Sequence, residues 1–139
     1  MKKLYVVCAL FAVCMLTGCD MDKMIHKKDD TVEKKDIEYT VVEDADVPPE
    51  FLEIINEKKE DKFQTTFSDK EFLYIGVGYG QQPTSGYCIS VEDIWQTDDS
   101  IDVTLGFDGP DSNEQIIEEF TYPYIVLKVE NTEKQVNIY

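Results

Sequence analysis

Arginine is absent from this 139-residue chain, and histidine occurs once, at His26. Both absences exclude chemistry. Reading DNA bases leans on bidentate arginine, and a phosphate backbone rewards clustered cations. Here 13 lysines face 29 acidic residues, a formal net charge of −16, so nucleic acid is excluded as a partner. A serine or cysteine nucleophile needs a positioned base, usually histidine, and residues 37–139 contain none. Cysteine is almost as scarce: Cys8, Cys14 and Cys19 lie near the start and only Cys88 follows. One cysteine without a domain histidine cannot assemble a zinc site. The residue inventory therefore argues against an enzyme and calls for no cofactor.

What is present begins at the N-terminus. Lys2 and Lys3 precede an apolar run from Leu4 to Leu16, followed by Thr17, Gly18 and Cys19. A positive end, a short hydrophobic stretch and small residues before a cut describe a secretory signal peptide over residues 1–18. The run is shorter than the roughly 20 apolar residues that span a bilayer. Leu16-Thr17-Gly18-Cys19 resembles the bacterial lipobox, which implies cleavage before Cys19 and lipidation of its thiol. The chain is expected at the cell membrane, lipid-anchored on the extracytoplasmic face. Removal of the signal takes Cys8 and Cys14 with it, so Cys88 has no intramolecular disulfide partner. An anionic membrane surface would repel so acidic a protein, which leaves lipid rather than protein contact to hold it there.

Residues 19–36 read as a flexible tether. Five lysines and six acids alternate there with no apolar period, too little to offset chain entropy. From residue 37 to 139 the pattern is that of one domain held by its core. Ile37 to Val42 reads as a strand, and Pro48-Pro49 opens an amphipathic helix over about 49–60 with Phe51, Leu52, Ile54 and Ile55. Phe72 to Tyr79 reads as a central strand, with Leu73, Ile75, Val77 and Tyr79 on one face and Gly76 and Gly78 beneath a close neighbour on the other. Tyr87, Ile89, Val91 and Trp95 alternate with polar residues, as do Ile101, Val103, Leu105 and Phe107. Tyr124 to Val129 and Val136 to Tyr139 supply two more strands, Pro123 placing the first at an edge or at its own start. The expected fold is mainly β (α+β): an antiparallel sandwich or partly closed roll with one short packed helix.

The segment Gly78 to Tyr87 carries the densest turn chemistry. Glycine permits φ > 0, proline fixes φ, and Thr and Ser hydroxyls bond nearby backbone. It reads either as a hairpin connection whose Tyr87 enters the core, or as a shaped loop that meets a protein partner. Cys88, without a histidine or basic cluster nearby, reads as a buried structural thiol. The pairs Asp98-Asp99 and Glu118-Glu119 have no spacing that implies catalysis in so acidic a chain. Asp108, Asp111, Asn113 and Glu114 miss the spacing of a calcium loop and read as a solvated turn.

Gly80-Gln81-Gln82-Pro83-Thr84-Ser85-Gly86-Tyr87, with Tyr122-Pro123-Tyr124-Ile125-Val126 further on, resembles the C-terminal domain of the PrcB family, over roughly residues 47–139. That family is named for a lipoprotein subunit of a bacterial surface protease complex. The resemblance implies a non-catalytic accessory role toward a partner at the cell surface, a peptidase being the candidate; the shaped-loop reading puts the contact on Gln82, Pro83, Thr84, Ser85, Gly86 and Tyr87. Pro83-Thr84-Ser85-Gly86-Tyr87 also resembles the Asn-Pro-Thr-Thr-Gly-Tyr loop of chagasin-like inhibitors of cysteine peptidases, which implies an immunoglobulin-like sandwich presenting that loop to a peptidase cleft. Gln82 and Ser85 depart from that pattern.

Overall fold

Strand β3 (Phe72–Tyr79) is the centre from which the fold is built. The computed structural model describes residues 32–139; the signal peptide, Cys19, His26 and most of the expected tether lie outside the described residues. On one face of β3, Leu73, Ile75 and Val77 meet Ile125, Leu127 and Val129 of β6 (Tyr124–Glu130) and Ile101, Val103 and Leu105 of β5 (Ser100–Asp108). That cluster is the core between two sheets. One sheet has the order β1-β6-β3-β2, with β1 at Tyr39–Val41 and β2 at Lys62–Ser68. The other has the order β4-β5-β7, with β4 at Cys88–Gln96 and β7 at Gln135–Ile138. Neighbours are antiparallel except β5 and β7, which run parallel. The architecture is the expected sandwich, unclosed and carrying one helix.

The outer face of β3 is covered by helix α1 (Pro49–Lys58). Pro48 and Pro49 start it, and the Pro48 carbonyl accepts from both Phe51 and Leu52 at 3.0 Å. Phe51 and Ile55, one turn apart, are completely buried against Phe63, Tyr74 and Val126. Gly76 makes this close approach possible: a Cβ there would stand 3.0 Å from the Phe51 ring.

Strand β2 has no counterpart among the sequence expectations. Its only large apolar residues, Phe63 and Phe67, stand four apart among Gln, Thr and Ser, a spacing that suits a helix as well as a strand. Pairing along the whole of β3 from Lys62 to Ser68 decides it. The Asp69 carboxylate closes the turn by accepting from Glu71 and Phe72 backbone N–H groups at 2.8 and 2.7 Å. Those two bonds hold its carboxyl below the usual range.

Strand β4 corrects a second expectation. A bulge between Val91 and Asp93 inserts one residue against β5 and reverses the alternation. Ile94 therefore joins Ile89 and Val91 on the core, while Trp95 turns outward and stacks on Tyr139 at 6.3 Å. The domain's contacts also begin before residue 37. Lys35 and Gln96 exchange backbone bonds of 2.8 and 2.9 Å, Lys35 pairs with Asp98 at 2.8 Å, and the Lys34 ammonium sits 3.9 Å above Trp95.

These pairings define two poles. The turns at 68–72, 96–100 and 130–135 form one, where the chain enters at Lys35. The other gathers the end of β3, the start of β4, the end of β5 and the start of β6. Strand β4 separates them by about 26 Å, at roughly 3.3 Å per residue.

Candidate functional site

The segment Gly80–Tyr87 lies at the pole away from Lys35, and it is a crossover rather than a hairpin. It leaves β3 in one sheet and enters β4 in the other. A crossover has no ladder of its own, so its backbone groups must find partners elsewhere. Gln81 N–H donates to the Glu60 carbonyl at 3.0 Å, beyond the end of α1. The remaining partners come from the connection between β5 and β6. Gln82 and Thr121 exchange backbone bonds of 2.7 and 3.0 Å. Ser85 N–H donates to the Ile117 carbonyl at 3.0 Å, and Ile117 N–H donates to Ser85 Oγ at 2.9 Å. Thr121 Oγ1 donates to the Thr84 carbonyl at 2.7 Å. The two loops are zipped together edge to edge.

Gly86 sits where they press closest. Its φ of +92° is the left-handed region that favours glycine, and a Cβ there would lie 2.7 Å from Cβ of Pro110. Gly86→Ala is therefore expected to lower stability by about 1–3 kcal/mol. At about 4–8 °C per kcal/mol, thermal unfolding detects this, and an unchanged midpoint would contradict the packing described.

Below the zipper three rings close the end of the core. Phe107 stacks on Tyr79 at 4.3 Å and on Tyr87 at 5.7 Å, nearly parallel in both pairs. Tyr87 is half-buried in this stack. Gln82 and Thr84, whose turn positions suggest exposed side chains, are half-buried as well. Gln82 Nε2 donates to the Tyr79 carbonyl at 3.3 Å, and Thr84 Oγ1 donates to the Ser85 carbonyl at 3.0 Å. Of the six loop residues only Pro83 and Gly86 are exposed. Cys88, expected inside, is exposed: it stands on the face of β4 opposite Ile89, at the start of an edge strand that no other described residue covers there.

The carboxylates do not converge. Asp98 pairs with Lys35 at the opposite pole, and that hydrogen bond, with the charge beside it, holds its carboxyl low. Glu114 and Asp111 bond each other's turn: Glu114 N–H donates to the Asp111 carbonyl at 3.0 Å, and Asp111 N–H donates to the Glu114 carboxylate at 3.2 Å. Among the described residues no group of three or more His, Cys, Asp or Glu side chains could hold a metal ion.

The family model described as PrcB C-terminal matches residues 73–130. Over that segment the chain is similar to the PrcB C-terminal family. The matched span starts within β3 and ends with β6, so it contains both zipped loops and the ring stack. Outside it lie α1, which covers the outer face of β3, β1 and β2 at the two edges of the first sheet, and β7, which completes the second. No curated protein and no solved structure matches the chain.

The structure also exposes residues at this pole that sequence reasoning passed over. Ile117 is 65% exposed, Phe120 62% and Ile116 44%. Flanked by acids and lacking a period of two or 3.6, they belong neither to the expected strands nor to the helix. The available signal was length: the connection from Gly109 to Pro123 contains no helix or strand, and loops beyond about 12–15 residues are uncommon and usually either functional or linker segments.

Proposed function

We propose that this protein is a membrane-anchored, non-catalytic accessory subunit that binds or stabilises a protein partner at the cell surface, with a protease complex as the candidate partner. The family match carries the reading, since similarity to the PrcB C-terminal family suggests an accessory subunit of such a complex. The lipobox-like Cys19 supplies the anchor, and the Gln82–Tyr87 loop with its zipped neighbour supplies the contact surface. The described chain joins the domain at Lys35, at the other end of β4 from that surface. The absence of a histidine base from residues 37–139 supports a role without catalysis.

The chagasin-like reading has less support. An inhibitory wedge must project freely, whereas the Thr84 carbonyl and the Ser85 backbone and hydroxyl are engaged by Thr121 and Ile117.

Two measurements test the proposal. Cys19→Ala is expected to remove the protein from the membrane fraction and abolish labelling by a fatty-acid probe, because attachment depends on the acyl chains. Mild crosslinking of membranes, followed by identification of what copurifies, is expected to recover a peptidase in stoichiometric amount. Persistent lipid labelling of the Cys19→Ala variant overturns the anchor, and recovery of no surface protein overturns the accessory role.

A further inference from the structure

We infer that the partner is held chiefly by Ile117 and Phe120 of the Gly109–Pro123 loop, and that it presents an apolar side chain flanked by lysine or arginine. This rests on the accessory-subunit reading and names the chemistry of the partner that such a subunit would take.

Three observations carry it. Ile116, Ile117 and Phe120 put large apolar side chains into solvent within five residues of one another, on backbone fixed by the Ser85–Ile117 and Gln82–Thr121 bonds. Rigid support matters, because an apolar patch already in place loses little conformational entropy on binding. The loop itself carries one sign: Asp108, Asp111, Glu114, Glu118 and Glu119 flank these residues in sequence, and no lysine occurs between Lys70 and Lys128. Two lysines reach this pole, Lys59 over the Tyr122 ring at 5.6 Å and Lys62 over the Tyr79 ring at 5.9 Å, and the five carboxylates outnumber them.

Charge decides among occupants. An anionic membrane surface is repelled by the carboxylates. A second copy of this chain would bring the same acidic rim against itself. A protein segment with cations around an apolar centre satisfies both the patch and its rim, since complementary potentials steer association and exclude wrong partners. The loop Gln82–Tyr87 then acts as the strut behind the contact, with exposed Pro83 at its border.

The experiment is site-specific photocrosslinking of the full chain in intact cells, with the photoreactive residue at position 117, at position 83, or at position 133 on the far pole. Position 117 is expected to link to a protein, and the linked peptide to carry lysine or arginine beside an aliphatic or aromatic residue. With the photoreactive residue at position 83, Ile117→Ser with Phe120→Ser is expected to reduce the yield at least tenfold, and 0.5 M NaCl on isolated membranes to reduce it severalfold. The substituted side chains are exposed, so unchanged thermal unfolding verifies that the fold survives. Links from position 83 but not from 117 overturn this inference and leave the accessory reading standing. Links from 117 to lipid, to a second copy or to an acid-flanked segment overturn it equally. Links confined to position 133, or none at all, overturn both.

Discussion

Phe51→Ala is expected to lower the unfolding free energy by about 3–5 kcal/mol, the range for removing a fully buried ring. Phe51 has no exposed surface. Its ring stacks on Phe67 at 5.5 Å and tilts against Tyr74 at 6.3 Å, so three elements meet on one side chain. Without it α1 keeps only Ile55 as a fully buried anchor on the sheet. A ten-residue helix is marginal without such packing. Domains of this size hold about 5–15 kcal/mol in total, so the variant should approach the unfolding threshold. Urea titration checks this: the midpoint should fall sharply with the slope unchanged. Phe51→Leu fills part of the space and should recover more than half of the loss. A loss below about 1 kcal/mol for the alanine variant would mean that the helix docks without its ring, contrary to the packing described.

The second large effect is expected at Asp102. This carboxylate lies on the outward face of the second sheet, yet only 5% of the residue is exposed. Tyr139, Asn137 and Ser100 cover it and all donate to it, Tyr139 Oη and Asn137 Nδ2 at 3.0 Å and Ser100 Oγ at 2.5 Å. Burial pushes its pKa upward, but the bonds from Ser100, Asn137 and Tyr139 and the nearby Lys34 charge outweigh burial and hold it below the ordinary value. Asp102→Ala is expected to lose about 2–3 kcal/mol, less than the sum of its bonds because water can reach the exposed Tyr139 hydroxyl.

The sign of the pH dependence follows from the depressed pKa. An unfolded aspartate titrates near 3.9, so the stabilisation is present in full above roughly pH 5 and is lost as pH falls through the lower folded value. Acid unfolding of Asp102→Asn should therefore be shallower below about pH 4 than that of the natural chain. Thermal midpoints between pH 7 and pH 2.5 measure it. Equal acid sensitivity in the two proteins would place the responsible carboxylate elsewhere.

Much of the fold was legible in the sequence because several elements are governed by local pattern. Phe72–Tyr79 announces a central strand by filling both faces, and its glycines announce close neighbours, which the structure shows to be the Phe51 and Phe63 rings. Pro48-Pro49 with Phe51 and Ile55 announces the helix, whose end at Lys58 falls two residues short of expectation as the chain turns into β2. Pro123 stands at the start of β6, and β6 is interior, flanked by β1 and β3. The lipobox-like start, the excess of acid and the missing arginine and histidine need no structure to be read.

Tertiary structure decided what local pattern leaves open. Phe63 and Phe67 suit either period, and only pairing with β3 makes Lys62–Ser68 a strand. The bulge at Val91 to Asp93 depends on registration against β5, so the outward turn of Trp95 is invisible in an alternation count. A turn-rich segment between two strands does not say whether those strands share a sheet. Here they do not, and the Gly80–Tyr87 loop must satisfy its backbone on residues 117–121, more than thirty positions away. That long-range zipper lifts Ile117 and Phe120 into solvent on a fixed frame. Composition along a chain can mark residues as apolar or acidic, but which of them stand exposed together is set by contacts between distant segments, and those exist only once the two sheets have packed.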